Sequence, residues 1–324
     1  MLAQDFHFGY VANPRATAAF DEQIPKAYGD QLNALPFDLK RSAFPYRVVK
    51  RMYKNSPRKL RNGRLKSKNQ SSIGSCVGHG GASAASFTSI CDILLRGDPE
   101  RLPIQDGEPA SVSGSACYGL SRMAGNSLGS WQGSNGSWMT DALIKYGCPF
   151  EIKTDRYDIS QYTVADAAQF QRQGVPAAIL EDCAKARFGA YARVTEPEQA
   201  VAAAQNGFGM HICSGLGFSS RRDTDGFAGR SGSWAHCMQL GGAYVNYEGF
   251  GRRPARRGIL IQNSWGDEWN GGDLGGMTPD LPWGSFFWDY DDFAQCLDRG
   301  LLEIYIMGGF NGLIRTPFDY SMAS

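Results

Sequence analysis

Gln70-Ser71-Ser72-Ile73-Gly74-Ser75-Cys76 is the stretch on which the reading of this chain turns, and it runs directly into Val77-Gly78-His79-Gly80-Gly81-Ala82. Gly74-Ser75 suit a tight turn that aims the next side chain outward. The residues after Cys76 are small, then apolar at helical spacing through Phe87, Ile90 and Leu94. This pattern predicts a helix from near Cys76 to near Gly97, buried enough to need small residues along one side. A thiol at the start of such a helix faces unpaired N–H groups and the positive end of the helix dipole, which favours the thiolate. Taken alone, a cysteine entering a helix is more often a structural residue.

Working outward, the chain changes character along its length. Residues 1–38 read as a short irregular arm in which Pro14, Pro25 and Pro36 break up any long helix. Residues 39–69 form a basic segment. Residues 70–207 carry helical patches, ACYGLSRMAG, WMTDALIKYG, AAILEDCAKARFGAYA and EPEQAVAAAQNG, the last closed by Gly207. From residue 208 to 324 the sequence turns Gly-rich and strand-like, in GMHICSGLGF, HCMQLGGAYVNYEGF, RGILIQNSW, GSFFWDYDDF and LLEIYIMGG. A helical half followed by a β half predicts an α+β protein with a cleft between two unlike lobes.

Three downstream features match the nucleophile segment. Trp234-Ala235-His236-Cys237-Met238 begins a strand, and Ile261-Gln262-Asn263-Ser264-Trp265-Gly266-Asp267-Glu268-Trp269 follows it. Together with Gln70–Cys76 they resemble, in order and on the expected elements, the papain-like (C1 family) cysteine peptidases, over roughly residues 37–306. The third, Gly133-Ser134-Asn135-Gly136-Ser137-Trp138, resembles that family's glycine loop, whose backbone pairs with an extended peptide.

The resemblance implies a papain-like two-lobed fold, with a helical left lobe and a β-barrel right lobe completed by the N-terminal segment. It implies a catalytic set in which Cys76 is the nucleophile, His236 its base and Asn263 the group that orients the histidine. Gln70 would supply an oxyanion donor beside the Cys76 N–H, and Trp265 would shield the His236–Asn263 bond. Gly136, Ser137 and Trp138 would border the substrate cleft; a Gly/Ser turn with a core tryptophan is the plainer alternative. Among the four histidines, His7 lies in the arm and His79 one turn into the helix. His211 is the competitor to His236.

The chain departs from the family at several points. Ile73 and Ser134 stand where the family has a disulfide-bonded pair. Val77, His79 and Ala235 replace a tryptophan, an aromatic and a polar residue. Gly272–Pro282 is an insertion. Residues 1–38 are too short for the long inhibitory propeptide of secreted relatives, so the expectation is either that the arm does a smaller version of that task or that regulation is of another kind.

The expected reaction is hydrolysis of peptide bonds through a thioester acyl-enzyme, with a peptide or protein as substrate and no cofactor. An acyl- or amidotransferase would use the same residues. The alternative from another class is a catalytically silent papain-fold structural or binding protein, for example a component of a virus or phage particle.

Composition limits the remaining choices. The eight cysteines include no C-x-x-C pair and are expected as small buried residues in a reducing compartment. Cys76 with His79, and His211 with Cys213, lack the spacing of a common zinc module, so no metal is expected. No secretory signal and no apolar run of 18 residues is visible, so the expectation is a cytoplasmic or virion-associated protein without a membrane span.

The net charge of +1 conceals twelve Lys/Arg and no Asp/Glu between residues 39 and 91, with a second basic knot at 252–257. The segment 40–68 is either a solvated loop surface or a contact for an acidic partner. Nucleic acid is disfavoured because aromatics are not interleaved there.

Overall fold

In a computed structural model, the described residues are 8–24, 67–95, 103–105, 108–247, 256–269 and 284–310. The basic segment up to residue 66 and the insertion Gly272–Pro282 lie outside them. The arm holds a helix, α1 (Pro14–Asp21), capped by Asn13, whose side chain accepts the Ala16 N–H. Pro14 therefore opens this helix and does not break it. At the first helical position the missing N–H costs nothing and the fixed φ is already helical.

The long helix α2 (Cys76–Leu95) lies between the two lobes. A short hairpin of β1 (Ile104–Gln105) and β2 (Glu108–Pro109) follows, then α3 (Gly114–Ala124), α4 (Gly136–Tyr146), α5 (Val164–Gln173) and α6 (Ala177–Cys183). Ser113, Asn135 and Thr163 cap three of these with side-chain oxygens. Gly147 and Gly174 end α4 and α5 with φ of 89° and 80°, a backbone that favours glycine.

The second lobe comprises β3 (Phe188–Arg193), α7 (Pro197–Gln205), β4 (Met210–Phe218), β5 (Arg230–Tyr247), β6 (Arg256–Gln262), β7 (Ser285–Asp289), α8 (Tyr290–Asp298) and β8 (Leu302–Phe310). Its strands form one antiparallel sheet in the order β3-β8-β4-β5-β6-β7. The expected β-barrel is thus a curled half-barrel.

Two sequence readings change. Phe188–Arg193, read as part of a helical patch, is the sheet's first strand, so the sheet begins before residue 208. Its Phe188, Tyr191 and Ala192 are buried while Gly189 is exposed, an arrangement that belongs to a sheet covered on both sides. Tyr290–Phe293, read as the end of a strand, open the helix Tyr290–Asp298, because Asp289 accepts the N–H groups of Asp291 and Asp292 as its N-cap.

Two cores result. One gathers Val77, Phe87, Leu120, Met139 and Phe170 among the helices; the other gathers Met210, Leu240, Ile259, Phe286 and Ile304 around the sheet. Glycines let α2 touch both. A Cβ at Gly78 would meet the Tyr118 backbone nitrogen of α3 at 2.5 Å, and one at Gly80 would meet Cys237 Sγ of β5 at 2.9 Å. Gly78→Ala is therefore expected to cost about 1–3 kcal/mol through overpacking. Gly215→Ala, with open space around it, should stay within about 0.5 kcal/mol. Urea unfolding of the two variants checks this, and equal losses would contradict the close approach.

Candidate active site

Cys76 is the first residue of α2 and is wholly buried. Its sulfur receives backbone N–H groups from Cys237, Gly9 and Val77, so the thiol lies against the residue that follows His236. Antiparallel pairing brings the other motifs together. Gln239 pairs with Gln262 and Leu240 with Ile261 across β5 and β6, so residues just beyond that register meet around His236.

There His236 Nε2 donates to Asn263 Oδ1 at 2.7 Å, and the Trp265 ring stacks on the imidazole with centroids 4.6 Å apart. The Asn263 oxygen also accepts the Ser264 N–H at 2.7 Å, which holds the amide in place. With Nε2–H committed, Nδ1 is the unprotonated nitrogen. It has no hydrogen-bond partner among the described residues.

Gln70 ties the nucleophile segment to the Asn263-Ser264 segment. Its N–H donates to the Ser264 carbonyl at 2.9 Å, its Oε1 accepts from Ser264 Oγ at 2.7 Å, and its Nε2 donates to the Ile73 carbonyl at 3.1 Å. The remaining histidines are placed elsewhere. His211 Nε2 faces the Gly136 carbonyl and Thr140 Oγ1, and His79 Nδ1 faces Ser75 with its ring edge-on to Tyr162. Among the described residues no group of three metal-ligating side chains is brought together.

The expected disulfide positions are occupied differently. Ile73 packs with Tyr118 and Ala167, and Ser134 Oγ bonds Ser121 Oγ at 2.8 Å. All eight cysteines are free and buried.

The arm lies across this site, one of the two roles the sequence left open for it. Phe8 meets His236, Trp265 and Trp234 with centroids 6.2, 6.0 and 6.3 Å away. Gly9 passes so close to Gly74 that a Cβ on it would fall on the Gly74 carbonyl oxygen. Tyr10 N–H donates to the Ala235 carbonyl at 2.9 Å. The Gly9 carbonyl accepts the Ser134 N–H at 2.7 Å, and Val11 N–H returns to the Ser134 carbonyl at 2.7 Å.

Ser134, next to Gly133, is thus the residue whose backbone pairs with the extended segment. Gly136 and Ser137, expected at the cleft border, open α4, and the Ser137 N–H goes to Asn135 and to Glu303. Trp138 covers Gly125 at the end of α3. Asn135 caps the helix, so pairing with the arm falls on the residue before the cap. The one sequence signal for the arm's role was its aromatic-glycine-aromatic run, Phe8-Gly9-Tyr10.

Burial governs the charges. Loss of water pushes the Cys76 thiol up to about 12, with Cys213 nearby adding to the shift and the amides opposing it. Loss of water lowers His236 to about 4 against the pull of Asn263. The pair is therefore a neutral thiol and a neutral imidazole in this closed arrangement.

No family model and no curated protein matches the sequence. Solved structures do. The chain is similar to xylellain, a cysteine protease of Xylella fastidiosa, at 16% identity and a TM-score of 0.52, over 93% of this chain and 91% of that one. It is similar also to the cysteine protease and lectin-like domains of Cwp84, a surface layer associated protein of Clostridium difficile. That match has 14% identity and a TM-score of 0.51, over 98% of this chain and 63% of that one. At such identities the likeness is one of fold, and the fold is that of the papain-like cysteine proteases.

Three histidines are buried neutral: His236 and His211 at about 4, His79 at about 3, each lowered by loss of water. Between pH 6.5 and 4 the unfolded chain binds protons that the folded chain does not. Stability is therefore full above pH 6.5 and falls as pH drops through this window, by about 1.4 kcal/mol per pH unit for each histidine at most. Urea midpoints at pH 7.5, 6 and 5 should decline in that order, with a shallower slope in His211→Gln. Equal midpoints would contradict the neutral burial.

Proposed function

We propose that the chain is a cysteine peptidase in which Cys76, His236 and Asn263 act as nucleophile, base and orienting residue, and that its own residues 8–11 keep the site closed. The observation that carries this reading is the 2.7 Å His236–Asn263 bond beneath Trp265, beside a cysteine at the start of α2. In the open cleft, His236 Nδ1 takes the proton of Cys76, and the thiolate attacks the substrate carbonyl. The oxyanion is received by the Cys76 N–H and the Gln70 side chain, donors whose individual loss typically costs about 100–1000-fold. The imidazolium then protonates the leaving amine, and water releases the thioester.

The arm is not itself a substrate in its present pose. Gly9 presents an N–H to the sulfur, while its carbonyl is turned to the Ser134 N–H. Residues 8–11 also exclude water, and the neutral pair follows from that exclusion. The silent papain-fold reading draws on the same burial of Cys76, and the assay below separates the two.

Gly9→Ala in the full chain should loosen the arm, since the added methyl has no room, and should raise hydrolysis of a casein or peptide-library substrate at least ten-fold over the native chain. Adding Cys76→Ala to it should abolish hydrolysis with folding intact by circular dichroism. Adding Gln70→Ala should lower kcat more than it raises KM. Hydrolysis that survives Cys76→Ala, or none in Gly9→Ala, would refute the peptidase reading.

A further inference from the structure

The sheet holds two further thiols beside Cys76 that the chemistry above does not use. Cys213 of β4 and Cys237 of β5 stand directly opposite each other in the antiparallel register, so their side chains project from the same face. Opposed residues of this kind have Cα atoms roughly 4.5–5.5 Å apart, inside the roughly 4.4–6.8 Å that a disulfide spans. The two thiols are free and already hydrogen-bond to each other. Glycines give them room: a Cβ at Gly136 would stand 3.2 Å from Cys213 Sγ, and one at Gly80 would stand 2.9 Å from Cys237 Sγ. The register of β4 also breaks between Ser214 and Leu216, just past Cys213, so the ladder there is not rigidly fixed.

The pair adjoins the nucleophile. The Cys237 N–H donates to the Cys76 sulfur, and Cys213 is close enough to act on it. The arm covers all three thiols. Its Tyr10, whose hydroxyl donates to Glu303 Oε2 at 3.0 Å, lies near both Cys213 and Cys237, so departure of the arm uncovers them together with Cys76. Only Cys76 has a base at hand, in His236. Burial pushes Cys213 and Cys237 up, and Cys213 further because its S–H donates to Cys237; the same bond favours the Cys237 thiolate. An oxidant therefore reacts first at Cys76, and Cys237 is the better nucleophile of the pair to answer it.

We propose, resting on the peptidase reading, that Cys237 and Cys213 are a resolving pair that returns an oxidised Cys76 to the thiol, with a hydroperoxide as the oxidant. The Cys76 thiolate attacks the terminal peroxide oxygen and the O–O bond breaks. The alkoxide or hydroxide leaves with the proton held by His236, and Cys76 is now a sulfenic acid. The Cys237 sulfur attacks the Cys76 sulfur, and the hydroxyl departs as water with the Cys237 proton, which gives a Cys76–Cys237 disulfide. The Cys213 sulfur then attacks Cys237, and Cys76 leaves as a thiol carrying the Cys213 proton. In sum one hydroperoxide is reduced to an alcohol or water, a second water forms, and two thiols become one disulfide. Without the pair the sulfenic acid goes on to a sulfinic acid, which thiols do not reverse.

The test uses the full chain carrying Gly9→Ala, treated with one equivalent of hydrogen peroxide at pH 7, and locates every oxidised cysteine by peptide mass spectrometry. The expected product is a Cys213–Cys237 disulfide with Cys76 recovered as the thiol. Adding Cys213→Ala should arrest the sequence at the Cys76–Cys237 disulfide, and adding Cys237→Ala should raise Cys76 sulfinic acid on the order of ten-fold under further peroxide. Cys76→Ala, which serves should neither strand variant fold, should slow formation of the Cys213–Cys237 disulfide on the order of ten-fold. Cys76 sulfinic acid beside free thiols at 213 and 237, three unmodified thiols, or a Cys213–Cys237 disulfide that forms as fast without Cys76 would each overturn the assignment. Hydrolysis is assayed on the same samples. Any of those results with hydrolysis intact leaves the peptidase reading standing, whereas a disulfide formed through Cys76 in a chain that hydrolyses nothing tells against the peptidase and not against the pair.

Discussion

Everything at the site depends on how closely the first turns of α2 approach both lobes. Gly78 lets the α3 backbone in on one side and Gly80 lets β5 in on the other, so the helix that begins with Cys76 is clamped between them. Side chains at those positions would hold the lobes apart, and the Cys76 sulfur would not reach the Cys237 N–H. Gln70 adds a polar tie across the same seam through Ser264. The position of Cys76 is therefore a consequence of backbone-to-backbone packing.

The arm converts that geometry into a closed state. It behaves as an added strand, exchanging hydrogen bonds with Ser134 on one lobe and giving one to Ala235 on the other. Its helix α1 is anchored further off, where Asp21 meets Arg193 and Tyr305. Buried in this way, the thiol and imidazole have no solvent to support separated charge, and the neutral pair is favoured. The same contacts that align the arm thus withhold the ionised form that chemistry needs. On the reading proposed above, latency and the site's architecture share one cause, the burial of Cys76 and His236 beneath Phe8, Gly9 and Tyr10.

Much of this was legible in the sequence because it is local. The small-residue run after Cys76 marked the helix, Gly207 marked the end of α7, and the resemblance of Trp234–Met238 and Ile261–Trp269 to the family's motifs put His236 with Asn263. What the sequence withheld was long-range. Glu303 is separated from Tyr10 by almost the whole chain, so nothing in its neighbours, Leu302 and Ile304, distinguishes it from any strand acid. Which residue of the glycine loop pairs with the arm was not legible, because Asn135 can be read as part of the loop or as the cap that ends it, and only the fold decides. Phe188–Arg193 follows α6 closely and is Ala-rich, so helical composition hid a strand that tertiary packing imposes. The basic run offered a sharper reading than the described residues test. Lys68, at the end of that run, pairs with Glu151, and Arg256 of the second basic knot pairs with Asp223, ordinary uses of charge.

The central claim is that Cys76 is an activated nucleophile kept out of reach by residues 8–11, and its reactivity measures this most directly. Native full chain, Gly9→Ala and Gly9→Ala with His236→Ala would be treated with limiting iodoacetamide at pH 7, and the modified cysteines located by peptide mass spectrometry. The account predicts an unmodified Cys76 in the native chain, rapid and selective modification of Cys76 in Gly9→Ala, and loss of that rate when His236 is removed. Rapid modification of Cys76 in the native chain, or a rate in Gly9→Ala that is indifferent to His236, would contradict it.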